Sequence, residues 1–351
     1  MIKACHLTIA LTALTAGALA ETYENPVIGQ DWPDPTFWQA PDGWVYGVAT
    51  CLKTTMQSRD LVHWEDTRVA PITDADRAEL AKFTNSFWAP DAVKVGDEWR
   101  LYVTQFKSSD TNRLVVLSAR DPRGPFRYRG VVLENWKKGI RDCAIDADVV
   151  PDGGRLWLFI GSVAGGVWRT WLTPDGLAVD PDAPFEHVAG LLPGDRDRKW
   201  IYSHRCYEGS YLYRRGGWWY LFASAGSCIA DGYRLYVGRS RTLDGVFVDR
   251  TGRKLTESGG ETLLETKGDD PEFLGPGHNG EIFADAGGRT YMFFHSHWKG
   301  CPGNGRSALT PRCLNLQEVL WDDDGWPWFR TGAVTKTNVC PDFGRETGSG
   351  N

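Results

Sequence analysis

Five copies of one pattern run along this chain: an ionisable residue, then a turn that contains glycine, then a strand rich in aromatic residues. The copies begin at Asp34, Asp91, Asp146, Glu208 and His278. Their spacing of about 55 to 70 residues is typical of a supersecondary unit that repeats with loop insertions, as in solenoids and propellers. Equivalent residues of such repeats meet around one axis. The pattern therefore predicts that ionisable side chains from distant parts of the sequence converge on an axial pocket.

The repeated strands decide between these architectures. They read WVYGVAT, WRLYVTQF, LWLFIGS, WWYLFASA and TYMFFHS. Aromatic and β-branched runs that follow glycine turns indicate β-hairpins, and further strand-like segments complete a meander of about four strands in most copies. A helix is expected only at 74–83, where Thr73 can cap its first turn. We therefore predict an all-β propeller in a single domain, with one blade per copy and an axial active site.

The first 20 residues have the pattern of a secretory signal. Lys3 supplies the positive charge, Leu7 begins a short apolar run, and Ala18 and Ala20 form the small-residue cleavage pattern. The alternative is a buried N-terminal helix. We predict a signal peptide at 1–20, a propeller domain at 21–351, and a secreted or periplasmic location.

The cysteines and the charge add limits on cofactors and partners. Removal of Cys5 with the signal leaves an odd number of cysteines, among which some disulfides are expected in an oxidising compartment. Two pairings are considered, Cys301 with Cys313 and Cys206 with Cys228, and the sequence leaves both open. The net charge is −6 and no basic run occurs. Nucleic acids and membranes are therefore not expected as partners.

Six motifs along the chain carry a resemblance to a known family. They are PDPTFW at 33–38, FWAPD at 87–91, AIDADVV at 144–150, YEGSYLYRRGGWWYLF at 207–222, YVGRSRTLDGVF at 236–247 and GPGHN at 275–279. In this order they resemble glycoside hydrolase family 43, in its arabinanase and α-L-arabinofuranosidase branch. The resemblance implies a five-bladed β-propeller and glycoside hydrolysis with inversion of configuration.

The resemblance also implies roles for individual residues. Asp34 would be the general base, Glu208 the general acid, and Asp146 the residue that orients the acid and tunes its pKa. His278 would lie near, or bind, a central metal ion, usually calcium; no organic cofactor is expected. An inverting hydrolase needs such a carboxylate and carboxylic acid, set about 6.5–9.5 Å apart so that water fits. An ionised Asp146 would keep Glu208 protonated by like-charge repulsion, with burial adding to the effect.

Several assignments have alternatives in the sequence itself. Asp148 competes with Asp146, because alternation along a strand places both on one face. His278 can instead be a hydrogen-bonding histidine between loops. Substrate contacts are expected from an additional set of residues, of which Trp88 is the leading candidate for stacking on a sugar: Trp32, Trp88, Asp91 and Ser162.

The predicted function is hydrolysis of α-L-arabinofuranosyl linkages in plant cell-wall polysaccharide or oligosaccharide, by an endo-1,5-α-L-arabinanase or an exo-arabinofuranosidase. The alternative enzyme is a β-xylosidase or another exo-glycosidase of the same family. A non-catalytic carbohydrate-binding propeller is a further alternative, although all three carboxylates are present. Insertions at 73–86, 193–205 and 299–312 are long enough to close one end of the channel, but the sequence does not give their shape.

Overall fold

Twenty of the strands in the described residues form five antiparallel sheets of four strands each, in sequence order, and the first and last strands form a separate pair. The computed structural model describes residues 20–301 and 311–343. The predicted signal peptide, apart from Ala20, and most of the predicted loop at 299–312 therefore lie outside the described residues. Within the described part, each sheet is a meander whose strands pair only with their neighbours in the chain. The prediction of an all-β, five-bladed propeller is confirmed.

The strands have the following bounds. Strand β1 (Thr22–Glu24) precedes blade 1, which is β2 (Thr36–Gln39), β3 (Val45–Val48), β4 (Met56–Ser58) and β5 (Glu65–Asp66). Blade 2 is β6 (Phe87–Val95), β7 (Glu98–Ser108), β8 (Thr111–Ala119) and β9 (Arg127–Glu134). Blade 3 is β10 (Asp148–Asp152), β11 (Arg155–Ile160), β12 (Val167–Leu172) and β13 (Glu186–Ala189). Blade 4 is β14 (Glu208–Arg215), β15 (Trp218–Ala225), β16 (Arg234–Ser240) and β17 (Glu261–Leu264). Blade 5 is β18 (Phe273–Ala284), β19 (Thr290–Trp298), β20 (Arg312–Trp321) and β21 (Pro327–Trp328), and β22 (Thr337–Val339) follows it.

The first strand of every blade lies at the axis, where these strands touch one another in a closed circle. Strand β2 contacts β6, β6 contacts β10, β10 contacts β14, β14 contacts β18, and β18 contacts β2. The two ends of the described chain meet beside blade 5, where β1 pairs with β22. Asn25 also donates from its side-chain amide to the carbonyl of Leu316 in β20. Contacts between the chain ends therefore hold the ring closed.

A second circle of contacts joins the five blades just below the pocket. One side chain from each first strand accepts a hydrogen bond from a backbone amide of the next blade. The pairs are Thr36 Oγ1 with Ala92 N (3.2 Å), Asp91 Oδ2 with Val149 N (2.9 Å), Asp148 Oδ2 with Leu212 N (2.7 Å), Tyr211 OH with Ile282 N (3.1 Å) and Glu281 Oε2 with Phe37 N (2.5 Å). Buried amides are costly to leave unpaired, so this circle favours a single spacing between blades.

Each first strand has a residue in the left-handed backbone region, either within the strand or two residues before it. These residues are Asp34 (φ 51°), Ala89 (φ 35°), Asp146 (φ 56°), Gly209 (φ 57°) and His278 (φ 44°). Two of the predicted copies begin instead at Asp91 and Glu208. In the structure the equivalent residues are Ala89 and Gly209, so one of these repeats begins two residues earlier than predicted and the other begins one residue later. The reason is a β-bulge, since the strand register slips between Trp88 and Asp91 and between Glu208 and Tyr211. Bulges and strained backbone of this kind occur next to active sites.

Short helices lie in the connections between blades. Helix α1 (Asp74–Ala81) is the helix that the sequence predicts, and Thr73 caps it by accepting from the amide of Asp76. Helices α2 (Asn135–Lys138) and α3 (Arg198–Ser203) follow, together with a 3-10 turn at Leu255–Glu257. None of the helices in the described residues is long and apolar enough to span a membrane.

The expected disulfides are absent from the structure. Cys301 and Cys313 lie side by side as thiols, with a hydrogen bond between their side chains. Cys206 and Cys228 are separate thiols.

Candidate active site

An axial cavity of 260 Å³ opens where the first strands begin. It is lined by Asp34, Thr50, Trp88, Ile145, Asp146, Ser162, Glu208, Cys228, Ile229, His278 and Arg312. The left-handed residues of blades 1, 3 and 5, which are Asp34, Asp146 and His278, are among them. Glu208 directly precedes Gly209, where the left-handed conformation kinks the backbone of blade 4. The five-fold arrangement of the strands therefore brings Asp34, Asp146, Glu208 and His278 together, as the repeats predict.

Asp34 is held on both carboxylate oxygens. Its Oδ1 accepts a hydrogen bond from Arg312 Nη1 at 2.7 Å, and its Oδ2 accepts one from Thr50 Oγ1, also at 2.7 Å. The ring nitrogen Nδ1 of His278 is 3.3 Å from Oδ1. Burial alone would raise the pKa of Asp34, but Arg312, His278 and His295 together hold that pKa well below its usual value. Asp34 is thus an ionised carboxylate throughout the ordinary pH range.

Glu208 has the opposite electrostatic environment. Burial is the main reason that its pKa rises to about 7, and the nearby charge of Asp34 adds to the effect. The hydroxyl of Ser162 donates to Glu208 Oε2 at 2.9 Å, which favours the ionised form and limits the rise. A carboxyl group with a pKa near 7 is able to donate a proton at neutral pH.

Asp146 is the third buried carboxyl group of the cavity, and it interacts with both Glu208 and Asp34. Its pKa is raised well above the usual value by burial, then by the charges of Glu208 and Asp34. Its Oδ2 accepts a hydrogen bond from the amide of Gly209 at 3.1 Å, which fixes the kink next to Glu208. The sequence predicts the charge of Asp146 as the main cause of the raised pKa of Glu208. The structure corrects this prediction, because burial is the larger cause for both groups.

An aromatic surface forms one wall of the cavity. Trp88 is 37% exposed and stacks on Phe106, with 3.9 Å between ring centroids and 11° between ring planes. The exposed ring of Trp88 therefore has a fixed orientation, with its other face available to a ligand. Ile229, which is 61% exposed, adds a second apolar group to the lining.

The comparison with known proteins assigns the family. The sequence profile of the glycosyl hydrolases family 43 matches residues 23–327, which is most of the chain. The chain belongs to this family. It is 29% identical over 313 residues to an extracellular exo-α-(1→5)-L-arabinofuranosidase of Cellvibrio japonicus, covering 85% of this chain and 86% of that protein. It is 26% identical to an extracellular endo-α-(1→5)-L-arabinanase of Thermotoga petrophila, covering 91% of this chain and 74% of that protein.

Solved structures agree on the fold of this family 43 glycoside hydrolase. The structure of an α-L-arabinanase of Cellvibrio cellulosa, complexed with arabinohexaose, superposes with a TM-score of 0.70 at 23% identity. The superposition covers 86% of this chain and 96% of that one. At this level of identity the likeness concerns the fold.

Two residues predicted to contact substrate lie elsewhere in the hydrolase. Asp91 is buried, is not among the residues that line the cavity, and accepts a hydrogen bond from the amide of Val149. It lies two residues after the left-handed residue Ala89, as Asp148 does after Asp146, and this position belongs to the circle of inter-blade contacts. Trp32 is 4% exposed and packs in the apolar cluster of blades 1 and 5. Asp148, the rival of Asp146, also belongs to the inter-blade circle through Leu212. Ser162 and Trp88 do line the cavity.

The repeat pattern does not predict three of the residues that surround Asp34, which are Thr50, His295 and Arg312. Thr50 follows β3, His295 lies within β19, and Arg312 begins β20, so none of them is on a first strand. The sequence feature that could have identified Arg312 is a basic residue in an apolar strand segment, since arginines are rarely buried unless they are paired.

The residues near His278 do not fit the predicted calcium ion. Calcium takes six to eight oxygen ligands, often carboxylates. Here Nδ1 of His278 faces Asp34, and both oxygens of Asp34 already accept hydrogen bonds, one of them from the cationic Arg312. No group of three or more His, Cys, Asp or Glu residues able to hold a metal occurs in residues 20–301 and 311–343.

Proposed function

We propose that this family 43 hydrolase is exported and cleaves α-L-arabinofuranosyl linkages of arabinan-type polysaccharide or oligosaccharide, with inversion at the anomeric carbon. The observation that carries the proposal is the pair of carboxyl groups that share the axial cavity with opposite pKa shifts. The pKa of Asp34 is lowered by its ion pair, and that of Glu208 is raised to about 7 by burial. Two carboxyl groups driven apart in this way are suited to the two halves of acid–base catalysis.

Glu208 acts as the general acid in this proposal. Its proton passes to the glycosidic oxygen while the bond from that oxygen to the anomeric carbon breaks, so the leaving sugar departs as a neutral alcohol. Asp34 takes a proton from a water molecule, and the water oxygen forms the new bond on the opposite face of the sugar. Glu208 ends ionised and Asp34 ends protonated, and exchange with solvent restores both groups.

Asp146 prepares the acid. Its hydrogen bond with the amide of Gly209 holds the kinked backbone beside Glu208. The charge of Glu208 raises the pKa of Asp146, so the two carboxyl groups do not readily ionise together. Asp146 is therefore linked to the proton donor in two ways, through the backbone at Gly209 and through the repulsion between the two carboxyl groups.

The proposed substrate and location come from different observations. The two relatives are named for activity on α-(1→5)-linked L-arabinose polymers and are described as extracellular. The stacked Trp88 at the cavity wall supports binding of a neutral sugar, because sugars lie flat against exposed aromatic rings. A β-xylosidase on the same scaffold is the alternative enzyme.

The test uses purified mature protein with linear arabinan, an aryl α-L-arabinofuranoside and an aryl β-xyloside. Hydrolysis of the first two substrates and not of the third supports the proposal, and the product sizes distinguish endo from exo action. The configuration of the first product, followed by proton NMR, should be inverted. Retained configuration would contradict the assignment of Asp34 as base. Activity on the xyloside alone would favour the alternative.

A further inference from the structure

A partly buried arginine contacts the same oxygen of Asp34 as His278, where the sequence predicts a metal ion. Arg312 begins β20, the third strand of blade 5, and its side chain is 17% exposed. Its Nη1 donates to Asp34 Oδ1 at 2.7 Å. Among the described residues that line the cavity, it is the one with a permanent positive charge.

The backbone around Arg312 holds this side chain in place. The amide of Arg312 donates to the carboxylate of Asp31 at 3.2 Å, and its carbonyl accepts from the amide of Trp32 at 2.8 Å. These bonds link the start of β20 directly to the segment that leads to Asp34. A shift of Arg312 away from Asp34 would therefore break several contacts at once.

We propose that Arg312 is a positioning residue that provides, as part of the chain, the positive charge that a metal ion would otherwise provide next to Asp34. The guanidinium and the hydroxyl of Thr50 each hold one oxygen of Asp34, which fixes the plane of the carboxylate. A carboxylate has about four lone-pair sites, so sites remain for the attacking water. A calcium ion bound at His278 would lie near the guanidinium, because His278 and Arg312 contact the same oxygen of Asp34, and like charges repel each other. This inference rests on the proposed role of Asp34 as base.

Two consequences separate this arrangement from a metal-dependent one. The parent protein should keep its activity and its melting temperature in chelator, and added calcium should change neither. Removal of the guanidinium should impair the chemical step more than substrate binding, because Arg312 acts on Asp34.

The experiment compares Arg312→Met, Arg312→Lys and a matched control, Arg169→Met, in full-length mature protein. Arg169 is also buried, pairs with Glu186 and bonds to carbonyls of the next blade, but it is not among the residues that line the cavity. We expect kcat of Arg312→Met to fall by about 100-fold, the loss typical of a small misplacement of a catalytic group, with a smaller change in KM. Arg312→Lys should recover part of that loss, and Arg169→Met should keep its kcat while losing stability.

The calcium measurements are made on the parent protein and do not depend on any variant folding. Melting curves in chelator and in added calcium, together with elemental analysis after dialysis, should show no bound calcium and no shift. A calcium-dependent melting temperature, or retained stoichiometric calcium, would overturn the inference. So would an Arg312→Met variant with the parent's kcat, or loss of kcat in the Arg169→Met control to the same extent.

A separate variant distinguishes failure of this inference from failure of the proposed function. Asp34→Asn should be inactive if Asp34 is the base. An active Asp34→Asn variant would refute the base assignment, and with it the positioning role of Arg312. The calcium measurements would then still report whether a cation binds beside His278.

Discussion

The carboxylate of Asp146 accepts a hydrogen bond from the amide of Gly209, the residue directly after Glu208. This bond crosses from blade 3 to blade 4 and ends at a left-handed kink (φ 57°), which a residue without a β-carbon adopts readily. A β-carbon at Gly209 would also lie 2.9 Å from the ring of His278. The proposed acid, its neighbouring carboxylate and the histidine of blade 5 are therefore packed around one glycine.

Substitution Asp146→Asn should move the alkaline limb of the pH–rate profile to lower pH. The carboxyl groups of Asp146 and Glu208 repel each other when both are ionised, as the raised pKa of Asp146 indicates, and the neutral amide removes this repulsion, so Glu208 loses its proton more easily. The shift should be moderate, because burial remains as the main cause of the raised pKa. The measurement is kcat/KM against pH on an aryl arabinofuranoside, and an unmoved limb would assign the raised pKa to burial alone.

Substitution Ser162→Ala should move the same limb in the opposite direction. The hydroxyl of Ser162 stabilises ionised Glu208, so its loss raises the pKa of Glu208 above about 7 and keeps the acid protonated to higher pH. The same pH series tests this variant beside Asp146→Asn. If the alkaline limb moved in the same direction in both variants, this would contradict its assignment to Glu208.

Substitution Glu208→Gln should remove hydrolysis of arabinan and affect an aryl glycoside with a good leaving group much less. The amide has nearly the same shape but carries no proton for the leaving oxygen, and a good leaving group needs little protonation. Initial rates on both substrates measure the difference. Equal losses on the two substrates would exclude Glu208 as the general acid.

Substitution Trp88→Ala should raise KM for arabinan oligosaccharides by about 10-fold, a change equal to the 1.4 kcal/mol expected for a stacked aromatic contact, with little change in kcat. The matched control is Trp328→Ala, since Trp328 is similarly exposed at 42% but lies on the last strand of blade 5. Steady-state kinetics on a series of oligosaccharides measures both variants. A similar rise of KM in both would mean that the effect does not come from the cavity wall.

Substitution Glu281→Gln should flatten the dependence of stability on pH between about pH 4.5 and pH 8. Burial raises the pKa of Glu281 to about 8 in the folded protein, against 4.5 for an ordinary glutamate. The folded state therefore binds more protons in this interval, and stability falls as pH rises through it. The parent should lose on the order of 3 kcal/mol of unfolding free energy from this group between pH 4.5 and 7, since one pKa unit corresponds to about 1.4 kcal/mol.

Urea unfolding at several pH values measures this loss in the parent and in the variant. Glu257→Gln is the control, because Glu257 is an exposed residue paired with Lys254. If the parent and Glu281→Gln had the same pH dependence of stability between about pH 4.5 and pH 8, Glu281 would be ionised in the fold.

The sequence by itself determined the repeated unit, and it determined most of the residues that meet in the axial cavity. The periodic strands require a propeller, and equivalent positions of a propeller meet by symmetry, so Asp34, Asp146, Glu208 and His278 could be named from their order in the chain. The helix capped by Thr73 was likewise predictable, because capping is a local property of a few neighbouring residues.

Only the tertiary structure decided which acids face the cavity and which join the blades. Asp91 lies two residues after the left-handed residue Ala89 and bonds to the next blade, whereas Asp34 and Asp146 are themselves left-handed residues and face the cavity. Residue periodicity does not show where the backbone takes this conformation. Arg312 reaches Asp34 from a third strand, and its contact spans 278 positions of the chain. The pKa of Glu208 depends on how completely the surrounding blades exclude water, which is a property of packing in three dimensions.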